Sequence, residues 1–240
     1  MAVFLVADPV DQSAAALSSE PPAAPPSILA RLRLETRGEH EAVEQVLDLM
    51  AASLTREGYR QRLQQFYGFY APLEAALQAR CDRVAGDAGN AGDKALSTGT
   101  HSALAVRLNK TAHLRQDLRR LGVMIEDLPL CRDLPPLETQ TEVLGCLYVL
   151  EGATLGGRMI TRHVQATLGI TLEAGGSFFE GYGADTGKMW QTMRQLLVSG
   201  APDVRCENAV VANAITTFAC LRRWCESGQT HKDAVSHRHA

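Results

Sequence analysis

The stretch from Leu137 to Ile170, LETQTEVLGCLYVLEGATLGGRMITRHVQATLGI, constrains the fold more than any other part of the chain. Apolar residues recur through it at helical spacing, which predicts one long helix over 137–168. It also carries Gly145, Gly152, Gly156 and Gly157. Each glycine inside a helix costs about 1 kcal/mol relative to alanine, so several in one helix need a compensating gain. Gly152 and Gly156 stand four residues apart and share a face, and Gly145 precedes Gly152 by seven residues on the same side. Such a face admits a second backbone or a flat ligand at close range, and it lets the helix bend. From the glycines alone, close helix packing and ligand contact are both open. A phosphate-binding loop is disfavoured, because no strand precedes the glycines and no Gly-Lys-Ser or Gly-Lys-Thr follows them.

The same periodicity gives helices near 27–52, 55–80, 102–121, 185–198 and 204–226, while alternating β-branched runs bounded by turns are missing. The expected fold is all-α, a single multi-helix bundle of six or so helices over 27–226. Residues 1–26 are rich in Ala, Ser and Pro and read as a disordered leader. Gly86–Thr100 reads as a loop, and Glu126–Pro136, with three prolines, as a rigid connector. Residues 227–240 read as a flexible tail, whose His231, His237 and His239 lack metal-site spacing on a helix.

Composition narrows the function classes. A net charge of -3 lacks the basic excess of a nucleic-acid binder. No apolar run reads as long enough to span a bilayer, so no membrane association is expected. The six cysteines form no CxxC pair, which fits reduced thiols and a cytoplasmic location rather than a zinc site or disulfide frame. No exposed heptad seam is evident, and a monomer is expected.

The first helix holds the main candidate for chemistry. Leu29, Leu32, Thr36, His40, Val43, Leu47 and Met50 follow spacings of three and four and form one stripe. His40 lies inside that stripe. A buried imidazole must satisfy its nitrogens by hydrogen bonds or by a metal, so a core histidine and a metal ligand are both open. Arg33 lies seven residues earlier, about 10 Å up the same side at 1.5 Å per residue. It is either a solvated arginine or a cation for an acidic group at the edge of a flat ligand. His101, His113 and His163 lie on polar or mixed faces and read as non-ligands, and Phe66, Tyr67, Phe69 and Tyr70 read as core.

Two of these segments together resemble the heme oxygenase family. LRLETRGEHEAVE is similar to its proximal helix, with Thr36 and His40 at the matching spacing and Arg33 where a basic residue meets a propionate. LYVLEGATLGGRMITRHV resembles its distal helix, with Gly152, Gly156 and Gly157 on the distal glycines, and FFEGYGADTGKMW resembles a later helix start. The likeness extends over roughly 27–226 and is nearest to the bacterial, biliverdin-producing, phytochrome-associated branch. It implies heme held between two helices, with His40 as the iron ligand and the three glycines covering the other face. It implies cleavage of heme, at once substrate and cofactor, by O2 and electrons to biliverdin, CO and ferrous iron. The implied partners are an external electron donor (a ferredoxin, a reductase or a small reductant) and a phytochrome as bilin acceptor, with release of heme iron as another use. Tyr182 and Lys188 are the implied choices for a second propionate partner, with Arg194 behind them. One departure stands out. Mammalian members carry an aspartate directly after the first distal glycine, and here that position is Ala153. A methyl group cannot relay a proton, which leaves a non-catalytic heme-binding or trafficking protein as the alternative. Glu151 reads as a salt-bridge anchor rather than a general acid.

Overall fold

The computed structural model describes residues 26–86 and 96–236. Among them are nine α-helices and no strand. They are α1 (Ile28–Glu35), α2 (Arg37–Leu47), α3 (Arg56–Gly86), α4 (Thr98–Arg107), α5 (Lys110–Arg120), α6 (Gln140–Leu168), the short α7 (Ser177–Glu180), α8 (Thr186–Gly200) and α9 (Val204–Ser236). The all-α class is as expected, but the boundaries differ in three places. The segment 27–52 is two helices, not one. At the junction the Thr36 hydroxyl donates to the Leu32 carbonyl at 2.7 Å, the back-bonding that bends a helix. The second of the pair stops at Leu47, because Asp48 turns into the left-handed region (φ 42°). Likewise 102–121 divides into α4 and α5 at Leu108–Asn109. The expected tail from 227 continues as helix α9 to Ser236. Residues 1–25 of the expected leader and 87–95 of the loop expected over 86–100 lie outside the described residues, while 98–100 belong to α4 rather than to a loop.

Helix α6 is the spine of the molecule. It opens on a capping box, in which Thr139 accepts from the Glu142 N–H and the Glu142 carboxylate accepts from Thr139 N–H at 2.8 Å. It closes on Gly169 in the left-handed conformation. Val143, Leu144, Cys146, Leu147 and Ile160 are fully buried along it. By length and composition α6 could cross a membrane, contrary to the expectation that no run is long enough, but 72% of that apolar window is buried inside the protein. Its hydrophobicity therefore belongs to a core helix.

Helix α9 packs along α6, and the glycine pattern shows where. A Cβ on Gly145 would strike the Val210 carbonyl and sit 2.9 Å from the Ala214 nitrogen, so the two backbones meet at this point. The Asn213 amide reinforces the crossing by donating to the Glu142 carbonyl. About 10 Å further along α6, at Gly152, nothing stands within 4 Å of an added Cβ. The helices have parted, and the space between them is where the site lies.

Helix α3 carries Pro72 in its interior. Proline has no N–H, so the Gly68 carbonyl loses its intrahelical donor. The N–H of Cys131, on the proline-rich connector, supplies the missing bond at 2.8 Å. Gly68 is required by the same contact, since a Cβ there would strike Trp224 and the Pro129 carbonyl. The connector is thereby fixed across α3.

Candidate active site

His40 projects from α2 into a cleft between α2, α3, α9 and α6. Its floor includes Val43 and Leu47 of α2, Phe66 and Tyr70 of α3, and Phe218 and Leu221 of α9. The facing wall is α6, at Tyr148, Val149, Gly152 and Ala153. The lining is mostly apolar with one imidazole directed into it, the character of a small-molecule site. The first-helix stripe and Gly152 of α6 thus meet at one space.

His40 is held in place by its own helix and by α9. Its residue is 3% exposed, and its ring stands edge-on to Phe218 with centroids 5.4 Å apart. Nε2 lies 3.9 Å from Glu44 Oε1, beyond hydrogen-bond range. Burial lowers the imidazole pKa below its usual value, against the opposing pull of Glu44 and Glu41. The ring is therefore neutral near pH 7, the form that binds a metal. Glu39, on the outward side of α2, pairs with Arg222 of α9 at 2.9 Å and fixes the helix that presents the histidine.

The other expected residues sort into three groups. Arg33 is exposed; burial raises the pKa of the cavity-wall residue Tyr148, against the smaller opposing pulls of a Thr36 bond and of the Arg33 charge. That places Arg33 near the cavity edge. Lys188 is exposed on the first turn of α8. Tyr182 is turned inward: its hydroxyl donates to Glu151 Oε1 at 2.9 Å.

The glycines of α6 do not act as one surface. Of the expected three, Gly152 borders the cavity. Gly157 is buried against α7, where a Cβ would collide with the Phe179 carbonyl oxygen. Gly156 is buried as well. Leu155 and Met159, neighbours of the glycines, do not line the cavity, whereas Phe66 and Tyr70 are at once core and cavity wall. His163 bonds the Ala51 carbonyl at 3.3 Å and is a structural residue.

A cluster missed by sequence reading lies behind Gly152. Glu151 is 1% exposed and accepts from Lys110 Nζ at 2.6 Å and Arg107 Nε at 3.1 Å, in addition to Tyr182. The salt-bridge reading of Glu151 holds, with partners more than forty residues upstream that no local pattern reveals. Arg107 also donates to the Met189 carbonyl at 2.9 Å, and Glu74 accepts from the N–H groups of Lys110 and Thr111 at the start of α5. This cluster ties α3, α4, α5, α6 and α8 together around the back of the cavity.

The family model described as heme oxygenase matches residues 27–227. No curated protein matches the chain significantly.

Proposed function

The chain belongs to the heme oxygenase family, and from that premise we propose that it binds heme between α2 and α6 and cleaves it with O2 and electrons to biliverdin, CO and ferrous iron. The observation that carries the reading is the cavity with a neutral, buried His40 on one wall and the side-chain-free Gly152 on the other. His40 would supply the nitrogen that holds the iron. A histidine ligand, unlike a thiolate, gives little push toward O–O cleavage at the iron, which suits oxidation of the macrocycle itself. Gly152 leaves the opposite face open at the place where any side chain would project toward the porphyrin. The apolar floor takes the ring, and Arg33 and Lys188, both exposed, receive the propionates at the solvent edge. The electrons come from an external donor, a ferredoxin, a reductase or a small reductant. On the likeness of LYVLEGATLGGR to the phytochrome-associated branch, the bilin serves a bacterial phytochrome.

The second reading, a heme carrier without turnover, is favoured by one observation: Ala153 offers the cavity a methyl group where the family's mammalian members have an acid. One experiment separates the two. Purified protein is titrated with hemin and then supplied with an electron donor under air. Decay of the Soret band with appearance of biliverdin absorbance and CO is expected. A stable Soret band under the same conditions identifies the carrier, and absence of any Soret shift removes both readings.

A further inference from the structure

The helix that presents His40 is short and is not carried straight on by its neighbours. Helix α2 has 11 residues, begins at the Thr36 bend and ends where Asp48 turns left-handed. Its rotation about its own axis decides where the imidazole points. Side chains reach about 5–6 Å from a helix axis, so a turn of about 10° carries a side-chain tip by about 1 Å. A displacement of that size at a reacting centre can cost about 100-fold in rate.

Two arginines from other helices grip α2 at its two ends. Near the start, Arg222 of α9 donates to both oxygens of Glu39, from Nε at 2.9 Å and from Nη2 at 3.5 Å. Its Nη1 donates to Glu226, one turn along α9, at 3.0 and 3.2 Å, so the guanidinium is anchored to its own helix. Glu39 directly precedes His40, about 100° away around the helix, so a pull on this carboxylate acts on the rotation of α2. Phe218, one turn before Arg222 on the same face of α9, meets the imidazole edge-on with centroids 5.4 Å apart. At the far end, Arg62 of α3 donates from Nε to the Leu47 carbonyl at 2.7 Å, one of the groups that a helix end leaves without an intrahelical partner. Arg62 Nη1 reaches the Gln65 side chain at 3.4 Å, and Gln65 donates to the Cys225 carbonyl at 2.9 Å. Both grips therefore trace to one stretch of α9, from Arg222 to Glu226. Arg222 and Glu39 are part-exposed, and an ion pair so placed adds little to stability. What it contributes is geometry.

We propose that Arg222 and Arg62 form a clamp that sets the rotation and height of α2, and thereby the direction of the His40 imidazole, which makes both of them positioning residues. The consequence for an iron bond rests on the heme reading; the clamp itself does not.

Two measurements test it. Nuclear magnetic resonance of the ligand-free protein reads the imidazole directly, because the Phe218 ring shifts the His40 ring protons by an amount set by their distance and angle. Arg222→Met and Arg62→Met are each expected to move those resonances. Arg222→Lys keeps the charge but loses the two-pronged grip, and is expected to fall between Arg222→Met and the unaltered protein. Both Arg222 variants are expected to fold, with Tm within about 4 °C of the unaltered protein. In hemin-loaded protein reduced to the ferrous state, the iron–imidazole stretching band of the resonance Raman spectrum is expected to shift and broaden in the same order. His40 resonances that stay in place in both methionine variants overturn the clamp. Resonances that move beside an unmoved Raman band overturn its effect on the ligand. Should the unaltered protein give no iron–imidazole band, the heme reading fails while the ligand-free spectra still decide the clamp.

Discussion

At the scale of single residues, two glycines of one helix have opposite requirements. Gly152 faces open space, so Gly152→Ala meets no steric obstacle and gains helix propensity of up to about 1 kcal/mol. A small rise in Tm is expected. The larger Gly152→Leu projects into the cavity and is expected to abolish turnover while leaving the fold intact by circular dichroism. Gly157→Ala brings a methyl group against the Phe179 carbonyl and is expected to cost on the order of 1–3 kcal/mol through overpacking. Equal Tm changes for the two alanine variants would contradict this division. The sequence shows four glycines at helical spacing and the expense of placing them there. It does not show that Gly145 lies under α9, Gly152 beside the cavity and Gly157 under α7, because that depends on where the neighbouring helices cross. His40 is legible as buried, since periodicity places it in the apolar stripe. The inward bond of Tyr182 is not legible, because its acceptor lies thirty-one residues away.

At the scale of elements, the cluster on Glu151 joins helices that share little local sequence signal. Removing the carboxylate leaves Arg107 and Lys110 as buried cations without their counter-ion. Glu151→Ala is therefore expected to destabilise the protein by about 3–5 kcal/mol, measured by denaturant unfolding. A loss below about 1 kcal/mol would show that the cluster is solvated rather than buried. Asp117 of α5 plays a comparable part for α7, accepting from the Ser177 hydroxyl at 2.8 Å and the Phe178 N–H at 2.7 Å. Burial raises its carboxyl pKa above the usual value, against those two bonds. A carboxyl with a raised folded-state pKa holds its proton more tightly when folded. Its stabilising contribution is present at low pH and is lost as pH rises from the ordinary carboxylate range through the raised value. Asp117→Asn removes this dependence, so the Tm of the variant relative to the unaltered protein is expected to improve as pH rises across that window. A gap that stays constant or widens the other way would contradict the assignment. The element boundaries were partly hidden for physical reasons. Thr36 and Asp48 interrupt helices without proline or glycine, through a side-chain bond and a left-handed turn that many sequences tolerate. The proline that is visible, Pro72, does not end its helix, because a distant N–H replaces the lost bond.

At the scale of the whole molecule, the all-α class follows from periodicity, and the family follows from two motifs whose order and separation fit one site. The fold explains why both are needed. Gly145 lets α9 and α6 meet closely, their divergence leaves room beyond the crossing, and α2, held to α9 by the Glu39–Arg222 pair, brings His40 into that room. The central claim is that this imidazole is the iron ligand. The most direct test is an optical titration with hemin of the unaltered protein and of His40→Ala, side by side. The unaltered protein is expected to give a saturable Soret band of a histidine-ligated heme, and His40→Ala to lose that band and tight binding with it. An unchanged heme spectrum and affinity in His40→Ala would contradict the claim.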